Sequence, residues 1–154
     1  MNSIIHIFTN PFLVTSLSSW AIAQVLKVFL HAYVTGKFDI TRLFGDGGMP
    51  SGHSATVTSL ATITGLMYGF DSFQFAMAAV FAVVVCHDAM GVRLETGKQA
   101  QMLNEIIKVF ETVTKHDLPD VILKEFVGHT LPQVTAGVLL GIVDAVFVYY
   151  VILV

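Results

Sequence analysis

Residues 73–92, FQFAMAAVFAVVVCHDAMGV, decide the fold of this protein. They form one apolar run in which Asp88 is the first acidic or basic residue other than histidine. A transmembrane helix needs about 20 mostly apolar residues, so this run predicts a helix that crosses a bilayer. Cys86 lies inside it as the single cysteine of the chain, which excludes an intramolecular disulfide and leaves a small apolar side chain.

Three further stretches have the composition of membrane spans. Residues 11–33 carry Lys27 as their only charge, and residues 132–154 carry only Asp144. A shorter span, 56–70, begins just after the sequence PSGH and is rich in Thr, Ser and Ala, which allows close helix packing. The sequence therefore predicts an all-α integral membrane protein of about four transmembrane helices, forming one domain over residues 1–154.

The overall composition agrees with this class. The chain is 55% hydrophobic and 12% charged, whereas soluble domains carry about 25% charged residues. A net charge of −3 gives no basic stripe for nucleic acid. No Lys or Arg precedes Lys27, so the N-terminus lacks the basic region of a secretory signal, and we expect the first span to stay in the mature protein.

Residues 94–115 predict an amphipathic helix between the third and fourth spans. Apolar side chains recur at helical spacing on one stripe: Leu103, Ile106, Ile107, Phe110 and Val113. The helix either lies at the membrane interface or packs on the bundle, and an ordinary solvated helix over a small cap is the alternative. A short helix over residues 120–126 should follow.

The basic residues indicate the topology. With four spans, the loop 35–51 and the segment 93–131 share one membrane face, and the basic residues all lie at or near it: Lys27, Lys37, Arg42, Arg93, Lys98, Lys108, Lys115 and Lys124. The positive-inside rule predicts that this face is cytoplasmic. Basic residues would also cluster on one face if they bind an anionic substrate there.

Two motifs place a histidine at a helix start on this face. Residues 45–54, GDGGMPSGHS, are a glycine-rich turn that runs into a helix. Backbone N–H groups and the helix dipole there favour an anion, and His53 could donate a proton to a leaving oxygen. A capped loop with a hydrogen-bonded histidine is the structural alternative. Residues 128–132, GHTLP, repeat the arrangement with His129, and Gly137-x-x-x-Gly141 predicts close packing of the last helix.

Further charged residues meet the interface beside these motifs. Asp88 and Arg93 end the third span, as phosphate-site residues or as an interfacial ion pair. Lys27 either extends to the interface or contacts a substrate phosphate. The other histidines have no comparable setting and are interpreted as structural: His6, His31, His87 and His116.

These motifs resemble those of a known superfamily. Pro50-Ser51-Gly52-His53 matches the second signature of the type 2 phosphatidic acid phosphatases, which are related to the vanadium haloperoxidases. Residues 128–137, GHTLPQVTAG, are similar to the third signature. The whole chain looks like the divergent small-membrane-protein branch of that superfamily.

The resemblance implies a role for each matching residue. His129 would be the nucleophile that forms a phosphohistidine, and His53 the general acid. Lys27, the Ser51 hydroxyl and the Gly52 N–H would hold phosphoryl oxygens.

The sequence also departs from the signatures. Leu123 and Gln133 stand where the third signature has an arginine and an aspartate, and Val34 stands where the first has an arginine. Arg93 is our candidate replacement for a phosphate-binding arginine. Asp88 or Glu125 is the candidate that orients His129. The superfamily works without metal or another cofactor, although Asp88 and Glu95 near a phosphate would suit Mg²⁺ as an alternative.

These residues lead to a functional expectation. The chain is expected to be a lipid phosphate phosphatase at the cytoplasmic face of the cell membrane, acting on phosphatidylglycerophosphate or phosphatidate. An undecaprenyl diphosphate phosphatase is the alternative. A catalytically degenerate lipid-phosphate binder or scaffold is the alternative of another class. The sequence does not determine the oligomeric state.

Overall fold

The computed structural model of the protein describes residues 6–44, 47–114, 123 and 128–154. Five α-helices span most of this part of the chain: α1 Pro11–Thr35, α2 Gly52–Tyr68, α3 Phe73–Met90, α4 Val92–Thr114 and α5 Leu131–Phe147. A short 3₁₀ helix, Ile40–Phe44, follows α1, and a π-helical segment, Val148–Leu153, extends α5. The described residues contain no strand, which confirms the all-α prediction.

Three helical stretches are long and apolar enough to cross a membrane: Pro11–Thr35, Phe73–Thr114 and Leu131–Leu153. The second includes both α3 and α4. The remaining helix, α2, has 17 residues, which is at the lower limit for a span. The protein is therefore an all-α, multi-pass membrane protein, and the predicted number of four spans is approximate.

Helix α2 lies at the centre of the bundle, because α1, α3 and α5 each pack against it. Its buried face is made of small residues such as Ser54, Ala55 and Ser59. Hydroxyls on this helix donate to carbonyls of their own helix: Thr56 Oγ1 to the Gly52 carbonyl and Ser59 Oγ to the Thr56 carbonyl. These bonds let a polar sequence occupy the centre of a membrane bundle without unpaired hydroxyls.

The predicted Gly137-x-x-x-Gly141 contact is present and fixes how α5 crosses α2. A Cβ on Gly141 would lie 2.5 Å from the Ala55 carbonyl oxygen and 2.9 Å from the Ser59 nitrogen. A Cβ on Gly137 would overlap the Ser51 carbonyl. The backbones meet because neither glycine has a side chain, and the first turns of α2 and α5 consequently lie side by side.

Helix α4 is amphipathic in the structure too. Gly97, Ala100 and Asn104 are its buried residues, whereas most of the predicted apolar stripe is exposed, including Ile106, Phe110 and Val113. The stripe therefore does not pack on the described part of the bundle. An exposed apolar stripe on a membrane protein favours the predicted interfacial position. The predicted helix over residues 120–126 falls outside the described residues, apart from Leu123.

Candidate active site

The two motif histidines come together at the end of the bundle where α2 and α5 begin. The ring centroids of His53 and His129 are 6.0 Å apart, with the ring planes inclined by 62°. The Ser51 N–H donates to the Gln133 carbonyl at 2.9 Å, which joins the first turn of α5 to the start of α2. Two motifs separated by more than 70 residues thus form one site.

Backbone contacts with the junction of α3 and α4 hold His129 in place. Its N–H donates to the Ala89 carbonyl at 2.9 Å. Gly128 before it has φ +90°, and a Cβ there would overlap backbone atoms of Arg93 and Leu94. Only glycine combines this conformation with such a close approach, so the glycine before the histidine sets the position of the imidazole.

The imidazole of His129 is buried and poorly satisfied. The residue is 1% exposed, and neither ring nitrogen has a hydrogen-bond partner among the described residues. Burial, followed by the positive charges of Lys27 and His53, lowers the pKa of His129 to about 4, opposed by polar contacts with the Gln133 side chain and the Gly48 backbone. These contacts fall short of hydrogen-bond geometry. His129 is therefore neutral at pH 7, the state that a nucleophile needs.

Lys27 reaches this site from α1. It is 5% exposed, and its aliphatic stem lies beside Gly48, where an added Cβ would be 3.7 Å from Lys27 Cγ and Cδ. Its charge is close enough to His129 to contribute to the lowered pKa of that residue. The structure thus brings Lys27 close to His129.

The structure gives Ser51 a different position from the predicted one. The residue is fully buried, and its hydroxyl oxygen accepts hydrogen bonds from the Ser54 N–H at 3.3 Å and the Ser54 hydroxyl at 3.0 Å. It is the N-cap of α2. The Ser51 hydroxyl therefore caps α2 in this structure. The close crossing of α5 covers it, so it is not exposed to a substrate phosphate. Gly52 in the next position is also buried, and a Cβ there would lie 3.4 Å from Trp20 Cδ1.

Asp88 and Arg93 pair with each other across the end of α3. Arg93 Nε donates to Asp88 Oδ2 at 3.0 Å, and both side chains are a little over 40% exposed. Asp88 is therefore not hydrogen-bonded to His129, contrary to its predicted orienting role, since its carboxylate faces Arg93 instead. Glu125, the other orienting candidate, lies outside the described residues.

Arg93, Asp88 and His53 meet at one end of a cavity of about 590 Å³. The rest of its wall is mainly apolar and comes from α1, α2 and α3: Trp20, Thr56, Val57, Phe81, Val84, Val85 and Ala89. Phe81 lies seven residues from Asp88 along α3, which corresponds to roughly 10 Å of helix. The cavity thus joins a polar end to an apolar region within the depth of the bundle.

Three residues near the site were missed by the sequence interpretation. Gln133, taken as a loss relative to the third signature, lies against His129 and accepts the Thr130 N–H at 3.0 Å. Its position three residues after a threonine is a capping-box signal that could have drawn attention to it. Gln24, one turn before Lys27, is buried beside Gly52, and its Oε1 has no partner among the described residues.

Asn104 is the third, and its side chain binds the backbone of Leu123. Its Nδ2 donates to the Leu123 carbonyl at 3.0 Å, and its Oδ1 accepts the Leu123 N–H at 3.1 Å. Leu123 stands where the third signature has an arginine. The backbone there is anchored by α4 through an amide side chain, which no local sequence pattern indicates.

In the described part of the chain, no three His, Cys, Asp or Glu side chains are grouped to hold a metal ion. Asp88 and Glu95, the pair considered for Mg²⁺, each bind a cationic side chain: Arg93 at 3.0 Å and Lys98 at 2.7 Å. The geometry of these residues is that of ion pairs.

The fold and the site together define a multi-pass helical membrane protein with a two-histidine pocket at one end of its bundle. Residues 8–144 match the Divergent PAP2 family, and the chain belongs to that family. It is also similar to the "Uncharacterized membrane protein YuiD" of Bacillus subtilis (strain 168), with 38% identity over 94% of this chain and 98% of that protein. No solved structure matches the chain. The family match confirms the resemblance stated above.

Proposed function

We propose that the protein is a lipid phosphate phosphatase that hydrolyses a phosphomonoester of a membrane lipid through a phosphohistidine. One observation carries the proposal. His53 and the buried, neutral His129 face each other at 6.0 Å beside a cavity that continues into the apolar part of the bundle. A soluble phosphate ester would gain nothing from that apolar wall, whereas a lipid tail would bury apolar surface there.

The proposed reaction has two steps. A nitrogen of His129 attacks phosphorus, the bond from phosphorus to the lipid oxygen breaks, and the leaving alkoxide takes a proton from His53. Neutral His53 then accepts a proton from water as that water attacks the phosphohistidine. Orthophosphate leaves, and both histidines return to their starting states. Lys27, Arg93 and the first-turn N–H of Gly52 would stabilise the charge on the phosphoryl oxygens.

The substrate proposal depends on the membrane face. The clustering of basic residues supports a cytoplasmic site, which suits phosphatidylglycerophosphate or phosphatidate, while undecaprenyl diphosphate is the alternative substrate. A cysteine at position 98, in a Cys86→Ser background, tests the face. Labelling of this cysteine from the cytoplasmic side is expected, and labelling from outside would overturn this orientation.

Phosphate release by the protein purified in detergent is the direct test. We expect release from one of the three lipids, abolished in both His53→Ala and His129→Ala and retained in His87→Ala. His87 is an exposed histidine on α3 and is the matched control. Full activity of His129→Ala would exclude the phosphohistidine.

A second candidate function is a catalytically inactive lipid-phosphate binder. The observation that favours it is that no carboxylate orients His129 among the described residues, since Gln133 stands in that position and Asp88 pairs with Arg93. A binder would retain radiolabelled lipid phosphate through purification without releasing orthophosphate. Release in the assay above would exclude this function.

A further inference from the structure

A second cavity, of about 250 Å³, lies beside Lys27. It is formed by the last turns of α1, the 3₁₀ helix and the glycine turn before α2. Lys27, His31, Arg42, Gly47 and Gly48 contribute to its wall. Its polar groups are three basic side chains and the backbone of the two glycines, and Leu30, Val34 and Met49 complete the wall.

The described residues that line this cavity include a lysine, an arginine and a histidine but no acidic side chain. Arg42 has an ion-pair contact with Asp39, which does not line the cavity, at 3.6 Å with both side chains about 40% exposed. An exposed pair at this distance contributes little. The same carboxylate accepts hydrogen bonds from the Thr41 hydroxyl at 2.6 Å and the Thr41 N–H at 3.0 Å. The guanidinium of Arg42 can therefore turn to an anion in the cavity at small cost.

Two residues that line the cavity also lie near His129. Lys27 lines the cavity, and its charge acts on His129. Gly48 also lines it, lies against the Lys27 stem and has its backbone near His129. An oxyanion in the cavity would therefore lie close to a phosphoryl group on His129.

We propose that the Lys27–His31–Arg42 cavity is a second oxyanion subsite that binds a phosphate group beside the reacting one. This proposal rests on the proposed function and deepens it. The phosphate has two possible sources: a second phosphoryl group of the substrate, or orthophosphate on its way out. Phosphatidylglycerophosphate and undecaprenyl diphosphate carry two phosphoryl groups, and phosphatidate carries one.

Binding of orthophosphate tests the subsite without turnover. In a His129→Gln background, which cannot form a phosphohistidine, isothermal titration with orthophosphate is expected to give a Kd about tenfold higher when Arg42 is changed to Gln, as for loss of one charged hydrogen bond. Arg42→Lys should recover most of the affinity. Lys37→Gln is the matched control, because it removes one exposed positive charge from the segment between α1 and the 3₁₀ helix. It should leave the Kd unchanged.

Kinetics in the otherwise wild-type protein separate the two sources. A rise in KM for phosphatidylglycerophosphate but not for phosphatidate in Arg42→Gln would assign the subsite to a second phosphoryl group of the substrate. A rise in the inhibition constant of orthophosphate with either substrate would assign it to the product.

A Kd for orthophosphate that is the same in the Arg42→Gln, His31→Gln and Lys37→Gln variants would overturn the subsite. A wild-type protein that binds orthophosphate through Arg42 but never turns over lipid would refute the phosphatase and leave the subsite standing. The two proposals therefore fail in different measurements.

Discussion

Two polar clusters are buried in this bundle, one at each end of α5, and they are satisfied differently. At the start of α5, His129 is 1% exposed and neither ring nitrogen has a hydrogen-bond partner among the described residues. About 20 Å further along the helix, Asp144 is 8% exposed and accepts hydrogen bonds from Ser18 Oγ at 2.9 Å and Ser19 Oγ at 2.5 Å.

Under the proposed function, this difference separates a structural cluster from a catalytic one. Polar groups in a membrane are costly unless they are paired, and Asp144 is paired by two serines of α1, so it holds α1 to α5. Thr15 lies one turn before the two serines on α1, and its buried hydroxyl has no partner among the described residues. This unpaired hydroxyl reduces the net stabilisation that the cluster gives to the fold. His129 has a charged environment but no partner of its own, as expected for a group whose partner is a substrate.

The largest expected effect is at His129. His129→Gln should lower kcat/KM for the preferred lipid by at least about 10³-fold, because the proposed reaction forms its covalent bond at this residue. The thermal midpoint in detergent should stay about the same, since one buried polar side chain without a hydrogen-bond partner replaces another. A large fall in the midpoint would place His129 with Asp144 among the structural residues.

The next effect is at the polar end of the larger cavity. Arg93→Gln should lower kcat/KM by about 10- to 100-fold, the effect of losing one charged hydrogen bond to a phosphoryl oxygen. Asp88→Asn keeps the size of the side chain and removes only its charge, so it should change kcat/KM by much less. If Asp88→Asn instead lowers kcat as strongly as Arg93→Gln, Asp88 has the orienting role that the sequence suggested.

At the other end of α5 the expected effect is on stability. Asp144→Val should lower the free energy of unfolding by about 1–2 kcal/mol, the range for interhelical hydrogen bonds in membranes. Asp144→Asn, which can still accept from the serines, should cost less. Phosphate release per folded molecule should stay within about twofold of wild type, because this cluster lies far from the histidines. A loss of turnover without a loss of stability would contradict the structural role.

The last prediction concerns the pH dependence of stability. The pKa of His129 is about 4 in the folded protein against 6.5 for a free histidine, so between these values the unfolded chain binds a proton that the folded protein does not. The free energy of unfolding should therefore fall as pH decreases from about 6.5 to about 4. His129→Gln should weaken this dependence in thermal melts across the range, and an identical slope in the variant would show that His129 titrates normally.

Much of the architecture follows from the sequence alone. The spans, the amphipathic α4 and the two histidine motifs are local patterns, because lipid as a solvent requires long apolar helices and a helix start has a short signature. The observed starts of α1 at Pro11 and α3 at Phe73 coincide with the predicted ones. The Gly137-x-x-x-Gly141 motif also predicts the close packing of α5, since close helix crossing depends on glycine.

Only the tertiary structure decided which polar groups meet. Nothing local to Ser51 reveals that α5 covers its hydroxyl, nor that Asp88 pairs with Arg93 rather than with His129. Gln133 is joined to the start of α2 through its backbone, and Asn104 binds the backbone of Leu123, and no local pattern indicates either contact. Side-chain partners depend on how helices cross, and that crossing is set by many weak contacts summed over the whole bundle, whereas each helix is specified by its own residues.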